Sequence, residues 1–202
     1  MPGIEQTGSL IEANVIEEAS NLEIFDVKGA QVRFGSIFEN EKAVVVFIRH
    51  FFCGQYVSQL ASVRQDALKD AGVKIVVVGC GEWKLIDNYK ETTSFQGDIY
   101  ADPTRKLYHA LGMTIETLNQ TPAGQEKRSY LQDGLFTNVL KSIKRGPLKN
   151  PMHIGKQGNL SQLGGEFVFG PGSQCVFSSR MQHTEDHVEV TDLMKEVGVA
   201  FP

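Results

Sequence analysis

The chain has 202 residues, 41% of them hydrophobic and 22% charged, with 20 basic against 24 acidic side chains for a net charge of −4. That balance suits a globular protein whose single domain, taken as 1–202, can bury a full core. It excludes a nucleic-acid-binding arm, since no run of like charge is long enough, and no apolar run approaches the roughly 20 residues that span a bilayer.

The start, Met1-Pro-Gly-Ile-Glu-Gln, has neither the basic stretch nor the apolar centre of a signal peptide. Three widely spaced cysteines make no disulfide framework, so the chain is expected in a reducing compartment, the cytoplasm. Residues 1–21 read as an N-terminal extension with a short helix within 9–21. Leu22 to Phe34 reads as a hairpin turning at Lys28-Gly29, with Ile24, Val27, Val32 and Phe34 as its apolar positions. Ala43 to Arg49 is apolar almost throughout, which predicts a central strand covered on both faces. A helix over Gly54–Ala71 carries Val57, Leu60, Val63 and Leu68 and leaves at Asp70-Ala-Gly72.

Val73 to Cys80 is a second buried strand. A helix from Glu82 to Lys90 follows, with Trp83 at its start either walling a pocket or packing. Asp98–Asp102 reads as a short strand and Asp102–Leu111 as a helix with Pro103 in its first turn. Residues 113–165 form a helix–loop insertion: a helix over Ser129–Arg145, stopped by Gly146-Pro147, then a polar loop over Asn150–Gly165. The insertion serves as a lid, a pocket wall or plain packing, and its basic stretch Lys141–Lys149 reads as a solvated helix end. Glu166-Phe-Val-Phe and Gln174–Ser179 make a hairpin around Gly170-Pro-Gly172, with Cys175 in the core, and Val190–Val197 is the closing helix.

Strand and helix alternate at a spacing that predicts parallel strands with right-handed crossovers, the strands ending at Arg49 and Cys80 being neighbours. Their shared carboxyl edge is where α/β sheets place their chemistry. At that edge stands Cys53, just where a helix begins. Unpaired backbone N–H groups, together with Arg49 and His50 (as imidazolium), are expected to favour its thiolate, the reactive form. Strand, cysteine, helix is the layout of a thioredoxin-type redox site, but Gln55 and Tyr56 stand where a second cysteine would be.

An ordered set of motifs carries a family resemblance. Arg49-His50-Phe51-Phe52-Cys53, Ile99-Tyr-Ala-Asp102-Pro103-Thr-Arg105 with Leu111-Gly-Met113, Gln162-Leu-Gly-Gly165-Glu-Phe-Val-Phe-Gly-Pro-Gly172, and Arg180 with Asp186-His187 resemble the peroxiredoxin-like 2 family over roughly 20–198. That family falls in the alkyl hydroperoxide reductase/thiol-specific antioxidant group. The resemblance implies an α/β, thioredoxin-like fold, a central mixed sheet flanked by helices, here with the helix–loop insertion. It also implies a thiol oxidoreductase acting on peroxides or prostaglandin-type endoperoxides.

The family pattern Arg-His-Phe-x-Cys-x-x-Cys continues into a Tyr-Val pair. Cys53 matches its first cysteine and Tyr56-Val57 the pair, so three residues including the second cysteine are deleted. Such a loss leaves a helix about 60° short of a full turn, which its apolar face tolerates, whereas a cycle between adjacent cysteines does not survive. True peroxiredoxins place proline and threonine or serine where Val46 and His50 stand, and an arginine near Gly164.

Three readings stay open. The first is a one-cysteine, peroxidase-like oxidoreductase: Cys53 is the nucleophile, Arg49 and His50 its activating donors, with Tyr56 beside them. An external thiol such as glutathione, or Cys80 as a resolving cysteine, would reset it. The second is a repurposed enzyme of specialised metabolism using His50, Arg49 or Tyr56 on a small organic substrate. The third is a non-catalytic binding module. His183 and His187 with Asp186 lack further metal ligands nearby in sequence, and no phosphate-binding motif is present, so no metal or bound cofactor is expected. Expected partners are a small-molecule substrate and a thiol reductant, not nucleic acid or membrane, with a homodimer left open.

Overall fold

In the computed structural model, which describes residues 11–132 and 155–202, the run Lys42–Phe47 forms a strand whose residues after Lys42 are all buried. Successive side chains of a strand face opposite ways. Val44 and Val46 accordingly enter one apolar cluster, and Ala43, Val45 and Phe47 enter another. A sheet that is apolar on both faces is stable only when both faces are covered.

The strands of the described residues are β1 (Glu23–Phe25), β2 (Gln31–Arg33), β3 (Lys42–Phe47), β4 (Val73–Gly79), β5 (Asp98–Ala101), β6 (Gly165–Phe169) and β7 (Cys175–Arg180). They form one sheet in the order β2-β1-β5-β4-β3-β6-β7. β3 is parallel to β4 and antiparallel to β6, as expected for a central strand of a mixed sheet. β5 extends the parallel part, and the hairpins β1–β2 and β6–β7 flank it on either side.

One face is covered by α1 (Ala13–Ser20) and α5 (Lys106–Ala110), through Ile16, Ala19, Leu107 and Tyr108. The other face carries α2 (Gln55–Leu60), α3 (Gln65–Asp70), α4 (Ile86–Thr93), α6 (Ser129–Gln132) and α7 (Val190–Lys195), through Val57, Leu68, Tyr89, Tyr130 and Leu193. Each fully buried aliphatic side chain contributes about 1.5 to 3 kcal/mol, so the two clusters supply the main driving force.

The expected boundaries hold for the strands and shift for several helices. The single helix over Gly54–Ala71 is two, α2 and α3. Ser62 Oγ donates to the Gln59 carbonyl at 2.6 Å, occupying an acceptor a longer helix would use, and Arg64 is extended. The helix after Cys80 opens as a 3-10 turn, Trp83–Leu85, and then runs as α4 past Lys90 to Thr93, where Ser94 turns left-handed. The helix expected from Asp102 starts only at Lys106, because Arg105 sits at φ +57°. Pro103 therefore lies in the preceding turn, and the Asp102 carboxylate receives the Leu107 N–H at 2.9 Å.

Trp83 packs on the β1–β2 turn. Gly29 there has φ +79°, and a Cβ on it would fall 2.6 Å from the indole. The helix expected over Ser129–Arg145 is described only as α6; its continuation, the Gly146-Pro147 stop and the basic stretch Lys141–Lys149 lie outside the described residues.

Candidate functional site

Parallel pairing brings the ends of β3 and β4 together, and the chain beyond β3 turns back at once. The Ile48 N–H bonds the Val78 carbonyl, and the Tyr108 hydroxyl lies within 2.6 and 2.9 Å of the Ile48 and Val78 carbonyls. His50 to Cys53 form a turn closed by the Cys53 N–H on the His50 carbonyl, and the Tyr89 hydroxyl donates to the Cys53 carbonyl at 2.5 Å. Cys53 therefore stands just ahead of α2, whose N-cap is Gly54.

His50 is held in one tautomer. The Phe52 N–H donates to its Nδ1 at 3.1 Å, so the proton of the neutral ring is on Nε2, 3.4 Å from Cys53 Sγ. Burial, with the Arg49 charge adding to it, lowers the His50 pKa to about 3. The expected imidazolium is thus replaced by a neutral ring that donates a hydrogen bond to sulfur.

Arg49 supplies the charge. Its NH1 is 3.5 Å from Cys53 Sγ and from the Thr184 carbonyl, and its NH2 donates to the Leu160 carbonyl at 3.0 Å. Among the described residues no carboxylate lies within ion-pair distance of it, so the guanidinium is not neutralised by a neighbour.

Cys53 itself departs from expectation. Burial raises its thiol pKa, and the lowering effects of Arg49 and of a His50 backbone hydrogen bond do not cancel that rise. The resting group at neutral pH is the thiol. Cys80 and Cys175 expose less surface to solvent, and burial pushes each to about 11. Brief iodoacetamide treatment at pH 7 should still label Cys53 faster than either, because only it is partly exposed. Its rate should rise roughly tenfold per pH unit while the thiol form dominates. Peptide mapping checks this; equal labelling of the three, or a flat pH profile, would contradict the geometry.

The thiol borders a cavity of about 260 Å³, lined by Arg49, Phe52, Tyr56, Tyr130, Thr184 and His187 among others. Tyr56 is buried, stacks on His187 at 4.3 Å and 6°, and its hydroxyl has no hydrogen-bond partner among the described residues. Burial, reinforced by Glu166, keeps that hydroxyl protonated, so it is able to donate a hydrogen bond. Behind His187 stands Glu166, fully buried on β6 and hydrogen-bonded to His187 Nδ1.

A family model described as AhpC/TSA antioxidant enzyme matches residues 59–183. Peroxiredoxin-like 2C of Mus musculus is 32% identical over 206 residues, covering 97% of this chain and 84% of that protein. The Homo sapiens protein of the same name is 32% identical over 208 residues, covering 98% and 85%. The chain belongs to this peroxiredoxin-like family. Its fold is also that of peroxidoxin BcpB from Mycobacterium tuberculosis, with a TM-score of 0.55 at 9% identity over 87% of this chain and 88% of that one.

In this peroxiredoxin-like chain the family model begins after Cys53 and does not cover the thiol. The arginine that true peroxiredoxins would place near position 164 has no room: a Cβ on Gly164 would fall 1.8 Å from the Phe47 carbonyl oxygen. Arg180 does not replace it. Its Nε donates to the Leu111 carbonyl at 2.6 Å and its guanidinium lies over Phe167. Cys80 shares the sheet edge, but its S–H donates to the Arg49 carbonyl at 2.9 Å. Asp186 pairs with Arg128 and His183, while His187 turns to Glu166 instead, so the three residues considered as metal ligands do not converge. No helix of the described residues is long and apolar enough to cross a membrane.

Glu166 and the role of His187 escaped the sequence reading. The available signal was a lone carboxylate inside the strand Gly165-Glu-Phe-Val-Phe169, whose residues are all buried. A charge so placed needs a partner.

Proposed function

We propose that the chain is a thiol-dependent peroxidase that uses Cys53 as its single nucleophile on small organic hydroperoxides. The observation that carries this is the convergence of two donors, Arg49 NH1 at 3.5 Å and His50 Nε2 at 3.4 Å, on a sulfur that borders a cavity. Negative charge grows on the peroxide oxygens as the O–O bond breaks, and donors fixed beforehand at that spot lower the barrier. His50 occupies the position three residues before the cysteine and would do there what a hydroxyl does in true peroxiredoxins. Phe52, Tyr56, Tyr130 and Leu131 give the cavity an apolar wall suited to an alkyl or aryl group.

The thiolate attacks the terminal oxygen, the O–O electron pair leaves on RO, and Cys53 becomes a sulfenic acid while ROOH becomes ROH. One external thiol, of glutathione type, then condenses with the sulfenic acid and releases water. A second attacks the mixed disulfide, giving a small-molecule disulfide and restoring Cys53. Cys80, buried and engaged with the Arg49 carbonyl, is not needed as a resolving group in this cycle.

Intact mass spectrometry after one equivalent of tert-butyl hydroperoxide tests the reading. The expected product is a gain of one oxygen, or a glutathione adduct when that thiol is present, mapping to Cys53. Loss of two hydrogens mapping to Cys53 and Cys80 would overturn the one-cysteine cycle. An unmodified Cys53 would overturn the peroxidase reading.

A further inference from the structure

A protonated thiol is a poor nucleophile until its proton has left, and the residues nearest Cys53 cannot take it. Arg49 is permanently cationic. His50 already carries its proton on Nε2, and the Phe52 N–H occupies its other nitrogen. Burial drives the pKa values of Tyr56, Tyr89 and Tyr130 upward, so they stay protonated and are not bases.

Two other groups on the cavity wall can accept a proton, Glu185 and His187. Glu185 is engaged elsewhere: its Oε2 receives the Thr121 N–H and hydroxyl at 3.1 and 2.6 Å, and Lys127 sits 3.5 Å from its Oε1. That leaves His187. Its Nδ1 faces Glu166 Oε1, an acceptor when ionised, so the neutral ring has its proton on Nδ1 and its lone pair on Nε2. Nε2 has no hydrogen-bond partner among the described residues.

The ring is fixed in place. Tyr56 stacks on one face, Tyr130 packs edge-on with ring centres 6.1 Å apart, and the His187 backbone N–H bonds the Tyr130 hydroxyl at 3.3 Å. Glu166 is fully buried, and its second oxygen receives the Val188 N–H at 3.4 Å. A carboxylate at that depth is costly to desolvate and is stabilised by a positive charge on the ring beside it.

We infer that His187 is the proton-transfer group of this cavity and that Glu166 is its positioning residue. The inference rests on Cys53 being the nucleophile. Nε2 takes the thiol proton, directly or through one water, and the imidazolium is held against the Glu166 carboxylate. Sulfur then bonds to the terminal peroxide oxygen, the O–O bond breaks, and the electron pair leaves on the alkoxide. That oxygen takes the proton from Nε2, so the products are Cys53–SOH, ROH and the original neutral ring. Sulfur loses two electrons and the peroxide gains them.

The test compares two oxidants in single-turnover oxidation of Cys53 by the full chain. tert-Butyl hydroperoxide expels an alkoxide that needs a proton, and peracetic acid expels a carboxylate that does not. His187→Gln should lower the ratio of the two rates by about 10²-fold. Glu166→Gln should lower it in the same direction by a smaller factor. Slower thiol ionisation or a smaller folded fraction affects both oxidants alike and cancels in the ratio, so a merely structural role leaves it unchanged. In the unmutated chain, D₂O should slow the alkyl hydroperoxide reaction more than the peracid reaction, a measurement that needs no variant to fold. An unchanged ratio, or equal solvent isotope effects, overturns the inference and leaves the peroxidase reading intact. If neither oxidant modifies Cys53 in the unmutated chain, both fall together.

Discussion

Cys53→Ser is expected to abolish glutathione-dependent turnover of tert-butyl hydroperoxide, a loss on the order of 10³-fold or more. The size of the effect follows from the chemistry. A serine hydroxyl is far harder to ionise than a thiol and has no accessible oxidised state equivalent to a sulfenic acid. The donors at the site, Arg49 NH1 and His50 Nε2, would remain in place but have no reacting sulfur to serve. The same variant separates the alternatives. A cavity that works through Arg49, His50 or Tyr56 without redox chemistry would keep its activity, and a binding module would keep its affinity. The measurement is oxidised glutathione formed over time against the unmutated chain, and retention of more than about a tenth of the rate would exclude sulfur as the reacting atom.

The parts of the fold legible in the sequence were those fixed by runs of one character. Ala43-Val-Val-Val-Phe and Val73-Lys-Ile-Val-Val-Val announce strands buried on both faces, and they pair in parallel at the centre of the sheet. Gly170-Pro-Gly172 announces a hairpin, and β6 and β7 are joined there. Helix boundaries were less legible because single side-chain contacts decide them. Ser62 bonding the Gln59 carbonyl divides α2 from α3, and Arg105 in a left-handed conformation delays α5. Arg49, His50 and Cys53 could be placed together because they are neighbours in sequence. The Glu166–His187 pair joins residues 21 apart, brought together only when β7 pairs with β6 and the chain after it turns back. The state of the thiol was also hidden. Local charge argued for thiolate, and only the packing around it shows that burial outweighs Arg49.

One close approach, between Gly164 and the end of β3, sets a second large effect. Gly164→Ala is expected to destabilise the fold by about 3 kcal/mol or more, at or above the usual cost of overpacking. The added methyl would lie 1.8 Å from the Phe47 carbonyl oxygen and 2.8 Å from its carbon, and neither is the end of a flexible side chain. Relief requires the β3–β6 ladder to open where Phe47 pairs with Gly165, or Gly164 to give up its own bonds. Its N–H lies 3.4 Å from Met181 Sδ, and its carbonyl receives the Met181 N–H at 3.0 Å. For a chain of this size the loss corresponds to a fall in Tm of about 6 to 12 °C, or more if β6 detaches. Differential scanning calorimetry of the two chains decides it, and a change within about 2 °C would show that the approach is looser than the structure has it. The same contact explains why no arginine is carried at this position. Any side chain there would displace the strand that holds Glu166 and, through it, His187 on the wall of the cavity that Cys53 borders. Cation supply at the thiol therefore falls to Arg49, which reaches the sulfur from the end of the neighbouring strand.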